Sequence, residues 1–346
     1  MLKVAIFGAA GYGGVELIRL LLAHPEVEIT YLGGHSNVDE NLTDLYPHLL
    51  GDIDAVIGPS AIEPALAKAD LLFSALPHAV GAPLLAQALE SGARVIDFSA
   101  DFRLKSAELY ARHYGEHPVP HLLAEAVYGL PELHREEIRA TRLLAVPGCY
   151  PTGAILALAP AVRAGLIEPR GIIVDSKSGV SGAGRSQLTL TTHFAEVNES
   201  VNAYGVTTHR HHPEIEQELS FAAGEPVGVT FVPHLIPVTR GLLTTAYGRL
   251  LPGVEREQVE AVYRDFYAHE PFVTVRPWGE QPATKHVTGS NRCHLGLAID
   301  APARTLIVTS ALDNLVKGLS GAAVQCLNLM CGWPETTALE YPGLWP

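Results

Sequence analysis

The chain has 346 residues, nearly half of them apolar, with 32 glycines and a charged fraction of 18%. That excludes a disordered chain or a small stapled scaffold and suggests two folded domains. Lys and Arg number 24 against 37 Asp and Glu, a formal charge of −13, which argues against nucleic acid as the main partner while allowing a local pocket for an anion.

Residues 2–7 form a short β-rich run that ends at Gly8-Ala9-Ala10-Gly11-Tyr12-Gly13-Gly14. A helical pattern follows, with apolar residues at Val15, Leu17, Ile18, Leu21 and Leu22. Strand, glycine turn and helix in this order let backbone approach a pyrophosphate held at the helix N-terminus. Met1 leads straight into the strand without the charged and apolar regions of a signal peptide, so no leader is expected. No apolar run reaches membrane-spanning length.

Val27 to Leu32 reads as the second strand. An NAD-specific turn usually carries an acid here for the ribose hydroxyls. This chain instead gives Gly33-Gly34-His35-Ser36-Asn37, with no acid until Asp39 and no arginine. The missing carboxylate favours a 2′-phosphate, which Ser36 could hydrogen-bond, and hence NADP.

Asp70 to Leu76 is a further strand running into Pro77 and His78, a helix covers about 82–91, and a strand at 94–98 ends in Ser99-Ala100-Asp101-Phe102-Arg103. Alternating strands and helices predict a parallel, doubly wound sheet with ligands at the strands' C-terminal ends. Asp101 and Arg103 are either ligand contacts or a mutual structural pair. Residues 104–142 read as loop-rich, with a turn at 128–132 before a short helix.

Leu144 to Gly153 places Cys149 between a short apolar strand and the start of a helix expected over about 152–165. A thiol at that junction faces free backbone N–H groups and the positive end of the helix dipole, which favours the thiolate. The other three cysteines, Cys293, Cys326 and Cys331, are irregularly spaced, and the set fits a reduced, cytoplasmic protein.

After a strand at 171–176, the loop from Lys177 to Arg185 combines small residues, hydroxyls and two cations, a plausible cradle for phosphate or carboxylate. Next come His209, Arg210, His211 and His212 ahead of a helix near Pro213. This cluster lacks the spaced partners of a zinc site, so no metal is expected. Runs at 227–232, 241–249, 272–275, 293–300 and 305–311 predict a largely antiparallel sheet, with a helix at 256–268. An apolar helix at about 319–330 is expected to dock back on the first domain.

A nucleotide turn, a helix-mounted thiol, imidazoles and an anion cradle fit one chemistry. The thiolate attacks an activated acyl carbon, a nicotinamide exchanges hydride with the resulting thioester, and an imidazole moves the proton. The ten residues from Leu144 to Gly153, with Ala157, Leu158 and Pro160, resemble the active-site pattern of the N-acetyl-γ-glutamyl-phosphate reductase family, within the aspartate-semialdehyde and glyceraldehyde-phosphate dehydrogenase superfamily. Gly8 to Leu17, Leu76 to His78, Asp97 to Arg103, Tyr128 to Glu132, Ser176 to Arg185, His209 to Glu214 and Asp313 to Gly318 resemble further blocks, so the similarity spans nearly the whole chain.

The resemblance implies a Rossmann-type dinucleotide-binding domain over 1–148, with 315–346 returning to it, and an α+β catalytic domain over 149–314. It implies Cys149 as nucleophile, His211 as acid/base with His209 as the second choice, and Glu214 as an orienting carboxylate. Gly8, Ala10, Gly11, Tyr12, Gly13, Gly14, Ser36, Leu76, Pro77, His78, Ser178, Gly179 and Asn314 would hold NADPH. Ser178, Ser181, Arg185 and Arg103 would bind a small-molecule acyl-phosphate substrate. A homo-oligomer, dimer or tetramer, is implied by the family alone. Rival readings are a reductase of a carrier-linked aminoadipyl phosphate in lysine biosynthesis, a nucleotide-binding redox sensor, and a Cys/His hydrolase.

Overall fold

The computed structural model describes residues 1–186 and 189–345. It divides into two compact units, Met1–Pro147 with Gly184–Ser186 and Leu319–Glu340, and Gly148–Ala183 with Gln187–Gly318 and Tyr341–Pro346.

The first unit runs β1 (Leu2–Phe7), α1 (Tyr12–Leu22), β2 (Val27–Gly34), α2 (Leu42–Leu45), β3 (Gly58–Pro59), α3 (Ile62–Leu66), β4 (Leu71–Ser74), α4 (Ala82–Glu90), β5 (Arg94–Asp97), α5 (Ala107–Tyr114), β6 (Val127–Tyr128), α6 (Pro131–Ala140) and β7 (Leu143–Ala145). Its sheet has the order β3-β2-β1-β4-β5-β7-β6, with every pairing parallel. Strands covered on both faces need apolar side chains throughout, and Val4 to Phe7 and Leu71 to Ser74 are fully buried as continuous runs. The order reverses beside β1, the crevice where such sheets bind ligands.

Two glycines fix the turn after β1. Gly8 has φ +76°, and a Cβ there would lie 2.5 Å from the Ala75 carbonyl oxygen. A Cβ on Gly14 would lie 2.3 Å from the Gly8 carbonyl oxygen, so only glycine lets α1 sit on the turn. A C-terminal helix, Gly321–Met330, is buried along its length and packs against α1 and α6. Ser320 Oγ donates to the Gly13 carbonyl at 2.9 Å, and His24 Nε2 meets Asn328 Oδ1 at 2.8 Å.

The second unit runs α7 (Cys149–Arg163), β8 (Ile172–Ser178), α8 (Phe194–Val197), β9 (Asn202–Ala203), α9 (His212–Ala223), β10 (Val229–Leu235), β11 (Leu242–Arg249), α10 (Arg256–Tyr267), β12 (Val273–Val275), β13 (Cys293–Asp300) and β14 (Thr305–Leu312). The sheet order is β12-β13-β14-β11-β8-β10-β9. β8 runs parallel to β10 and β12 to β13, and the remaining pairings are antiparallel. β8 and β11 alternate buried and accessible residues, as a sheet covered on one face requires.

α7 lies on that covered face, against β11, β14, α9 and α10. Gly153 lets it approach, because a Cβ there would lie 3.1 Å from Thr244 Oγ1. Pro160 has no N–H for the Leu156 carbonyl one turn back. The Tyr267 hydroxyl donates to that oxygen at 2.6 Å, and the Tyr263 hydroxyl donates to the Ala157 oxygen at 2.6 Å. Tyr267 of α10 thus supplies the donor that Pro160 lacks, and Tyr263 adds a bond to the next carbonyl.

Candidate active site

Cys149 is the first residue of α7, three positions earlier than the helix start expected from Pro151 and Thr152. Gly148 is the N-cap, in extended conformation and with no side-chain cap, so the positive end of the helix dipole lies at Cys149. Thr152 Oγ1 donates back to the Gly148 carbonyl at 3.0 Å. None of the four cysteines forms a disulfide.

Three elements of this unit close around the thiol. A Cβ on Gly148 would lie 2.6 Å from His211 Nε2, so the imidazole rests directly on the backbone beside Cys149. The Gly148 N–H donates to Glu214 Oε1 at 2.8 Å, which fastens the residue before the nucleophile to the first turn of α9. On the other side, a Cβ on Gly318 would lie 2.8 Å from Cys149 Cβ. Gly318 belongs to a π-helical turn, Val316–Ser320, a distortion that recurs at functional sites.

His211 is the N-cap of α9, and its N–H donates to His209 Nδ1 at 3.1 Å. His209 therefore carries its ring proton on Nε2. Tyr150, Tyr204, His211 and Phe231 surround the ring at centroid distances of 5.5, 5.4, 4.8 and 5.4 Å. Burial first, and the neighbouring Arg210 second, push His209 down to about 4, so it is neutral at physiological pH. The Tyr204 hydroxyl donates to the Tyr150 hydroxyl at 2.9 Å, which donates to the His234 carbonyl at 3.1 Å. Burial raises both phenols, Tyr204 to about 12. The sequence assigns no role to either tyrosine, because an aromatic beside a nucleophile carries no spacing signal of its own.

Ser178, Ser181 and Asn314 lie in the same unit. Ser178 and Ser181 are buried. Asn314 Nδ2 donates to Ser181 Oγ at 2.9 Å, and Asn314 Oδ1 accepts from the Gly241 N–H at 2.8 Å. A Cβ on Gly179 would lie 2.8 Å from the Thr239 and Val238 carbonyls. Arg185 lies in the first unit, where Nη1 donates to the Ala10 carbonyl at 3.3 Å and the guanidinium stands 5.4 Å from the Tyr46 ring centroid.

Also in the first unit, Arg103 is buried, with Nε on the Val146 carbonyl at 2.8 Å and an Nη on the Phe98 carbonyl at 2.7 Å. Asp101 accepts from the Ala79 N–H at 2.9 Å and from the Tyr110 hydroxyl at 2.6 Å. These bonds fasten the loops after β4, β5 and β7. Leu76 is buried, Pro77 is exposed, and His78 Nδ1 accepts from the Ala100 N–H at 3.0 Å. Ser36 is exposed and its hydroxyl donates to Asn37 Oδ1.

The glycine turn suits a dinucleotide. Its inner side is closed at Gly8 and Gly14, a Cβ on Gly11 would meet only the Gly8 oxygen at 3.4 Å, and the α1 N-cap at Gly11 makes no side-chain bond. Among the described residues no group of three or more His, Cys, Asp or Glu is placed to hold a metal. No described helix is long and apolar enough to cross a membrane.

Two family models cover most of the chain. Residues 3–141 match the semialdehyde dehydrogenase NAD binding domain, and residues 149–314 match the semialdehyde dehydrogenase dimerisation domain. Aspartate semialdehyde dehydrogenase II of Vibrio cholerae, complexed with ASA, superposes with a TM-score of 0.74 at 18% identity, covering 96% of this chain and 98% of that one. Aspartate semialdehyde dehydrogenase of Candida albicans with NADP gives 0.70 at 17% identity, covering 96% and 98%. Fold and domain matches together define a nicotinamide-dependent oxidoreductase of the semialdehyde dehydrogenase class. N-acetyl-γ-glutamyl-phosphate reductase of Moorella thermoacetica is 51% identical over the full length of both chains. The enzyme of that name from Symbiobacterium thermophilum is 52% identical over 99% of this chain and 98% of its own. The chain belongs to the N-acetyl-γ-glutamyl-phosphate reductase family.

Proposed function

We propose that the chain reduces N-acetyl-γ-glutamyl phosphate with NADPH to N-acetylglutamate 5-semialdehyde and phosphate, a step of arginine biosynthesis, through a thioester on Cys149. The observation that carries this is Cys149 at the uncapped N-terminus of α7 with the His211 imidazole against Gly148. The thiolate sulfur attacks the acyl carbon, and the phosphate leaves with the electrons of its C–O bond. The α7 N–H groups favour the negative charge that develops at the site. When bound, NADPH supplies the hydride that reduces the thioester carbon. His211 protonates the oxygen on that carbon and takes the proton back as the thiolate is expelled with the aldehyde.

His209 is a positioning residue: held neutral, it fixes the His211 backbone through Nδ1. Glu214 positions Gly148, and Ser178 and Ser181 hold the substrate's phosphate or carboxylate, with Asn314 setting their loop. Residues 8–14, Ser36 and 76–78 form the cofactor side. The absence of an acid over residues 33–38 favours NADPH over NADH. In this reading residues 1–148 with 315–346 are the nucleotide-binding part and 149–314 the catalytic part, and the working form is a cytoplasmic homodimer or homotetramer. A carrier-linked substrate would need a basic rim, which a formal charge of −13 does not favour.

Phosphate-dependent NADP⁺ reduction by free N-acetylglutamate semialdehyde, followed against pH, tests these roles. His211→Asn is expected to lower kcat by about 10²–10⁴ and to abolish one limb of the profile. In His209→Asn the amide oxygen replaces the Nδ1 acceptor, so the profile keeps its shape and more activity survives than in His209→Phe. Turnover of only a carrier-linked aldehyde, or a limb lost with His209 rather than His211, would contradict the assignment.

A further inference from the structure

We propose that Arg185 is a cofactor residue, whose guanidinium clamps the dinucleotide's pyrophosphate at the glycine turn. This rests on the reading that the turn holds a dinucleotide, and it moves Arg185 from the substrate to the cofactor. Nη1 donates to the carbonyl of Ala10, inside the turn, at 3.3 Å. The Tyr46 hydroxyl donates to the same oxygen at 2.8 Å, and the guanidinium lies 5.4 Å from the Tyr46 ring centroid. Carbonyl and ring together hold the planar group in place, so little side-chain freedom remains to be lost on binding.

The bonds to the Ala10 carbonyl and the Tyr46 hydroxyl occupy only part of the guanidinium's five donors, leaving N–H groups to meet phosphate oxygens. The need for such a charge is local. The segment Gly33 to Asn37, at the end of β2 and beyond it, contains no lysine or arginine, and the first turn of α1 contributes amides but no cation. In a chain of formal charge −13, a ligand carrying a pyrophosphate gains from one fixed cation at the turn. Because the anchor is Ala10 rather than the end of β2, the pyrophosphate is the group addressed, not the 2′-phosphate.

The test is titration of the full chain with NADPH and with NADH, followed by nicotinamide fluorescence, alongside the Michaelis constant for inorganic phosphate. Arg185→Gln is expected to weaken both dinucleotides by a similar factor, about tenfold or more. Arg185→Lys keeps the charge without the fork and should fall between wild type and Gln. Thermal unfolding without ligand checks that both variants fold, and the Lys variant carries the comparison if Gln does not. Weakening of NADPH alone would place the charge on the 2′-phosphate and overturn the proposal. Unchanged dinucleotide binding with a raised constant for phosphate would return Arg185 to the substrate. Failure of the wild type to bind either dinucleotide would instead overturn the underlying reading of the turn.

Discussion

His209 and His211 are two residues apart and chemically unlike. His209 is enclosed by three aromatic rings and its neighbour's imidazole, with its Nδ1 occupied by a backbone N–H. His211 lies against the backbone that carries the thiol. From the sequence the pair was legible as a site but not divisible into roles, because the division depends on Tyr150, Tyr204 and Phe231 arriving from elsewhere in the chain. A second residue with an informative titration is Asp97, at the end of β5. Burial, opposed by the Ser99 hydroxyl 2.5 Å away, raises it to about 7. The unfolded chain gives up this proton near the ordinary carboxylate value of about 4, while the folded chain holds it until about 7. Stability is therefore expected to fall by a few kcal/mol as pH rises through that window, and to be flat above it. Asp97→Asn should remove this slope in denaturant titrations from pH 4 to 8; an identical slope in the variant would assign it elsewhere.

At the scale of elements, α7 joins the chemistry to the fold. Its N-terminus carries Cys149, its Gly153 touches the sheet, and its Pro160 leaves the Leu156 carbonyl to Tyr267 of α10, beside the Tyr263 bond to Ala157. Tyr267→Phe orphans the buried Leu156 carbonyl and should cost about 1–3 kcal/mol in denaturant unfolding. Pro160→Ala restores an N–H for that carbonyl, so Tyr267→Phe should cost less in a Pro160→Ala background. Additive losses would refute the coupling.

The long elements of both sheets were legible because apolar runs and helical periodicity extend over many residues. β6 and β9, two residues each, show no period, and pairing with a neighbour defines them. The π-helical turn at 316–320 escaped for a related reason. Its meaning lies in the approach of Gly318 to Cys149, which no local pattern records.

At the scale of the molecule, two sheets of different construction divide the work. The parallel sheet places the glycine turn after β1, where its strand order reverses, and the mixed sheet supports the helix that carries the thiol. The blocks around Cys149 and Gly8 identified the chemistry from sequence, since each needs residue types that few other structures require together. The bond from Arg185 to the glycine turn was not legible, because Ala10 lies far from it in sequence and no spacing records the contact.

The central claim is the acyl-enzyme on Cys149, and its most direct measurement is intact-protein and peptide mass spectrometry after mixing the chain with N-acetyl-γ-glutamyl phosphate in the absence of NADPH. The account predicts one N-acetylglutamyl group on the peptide containing Cys149, discharged on adding NADPH, and no adduct in Cys149→Ser. An unmodified Cys149 in an enzyme that turns over, or an adduct on another residue, would contradict it.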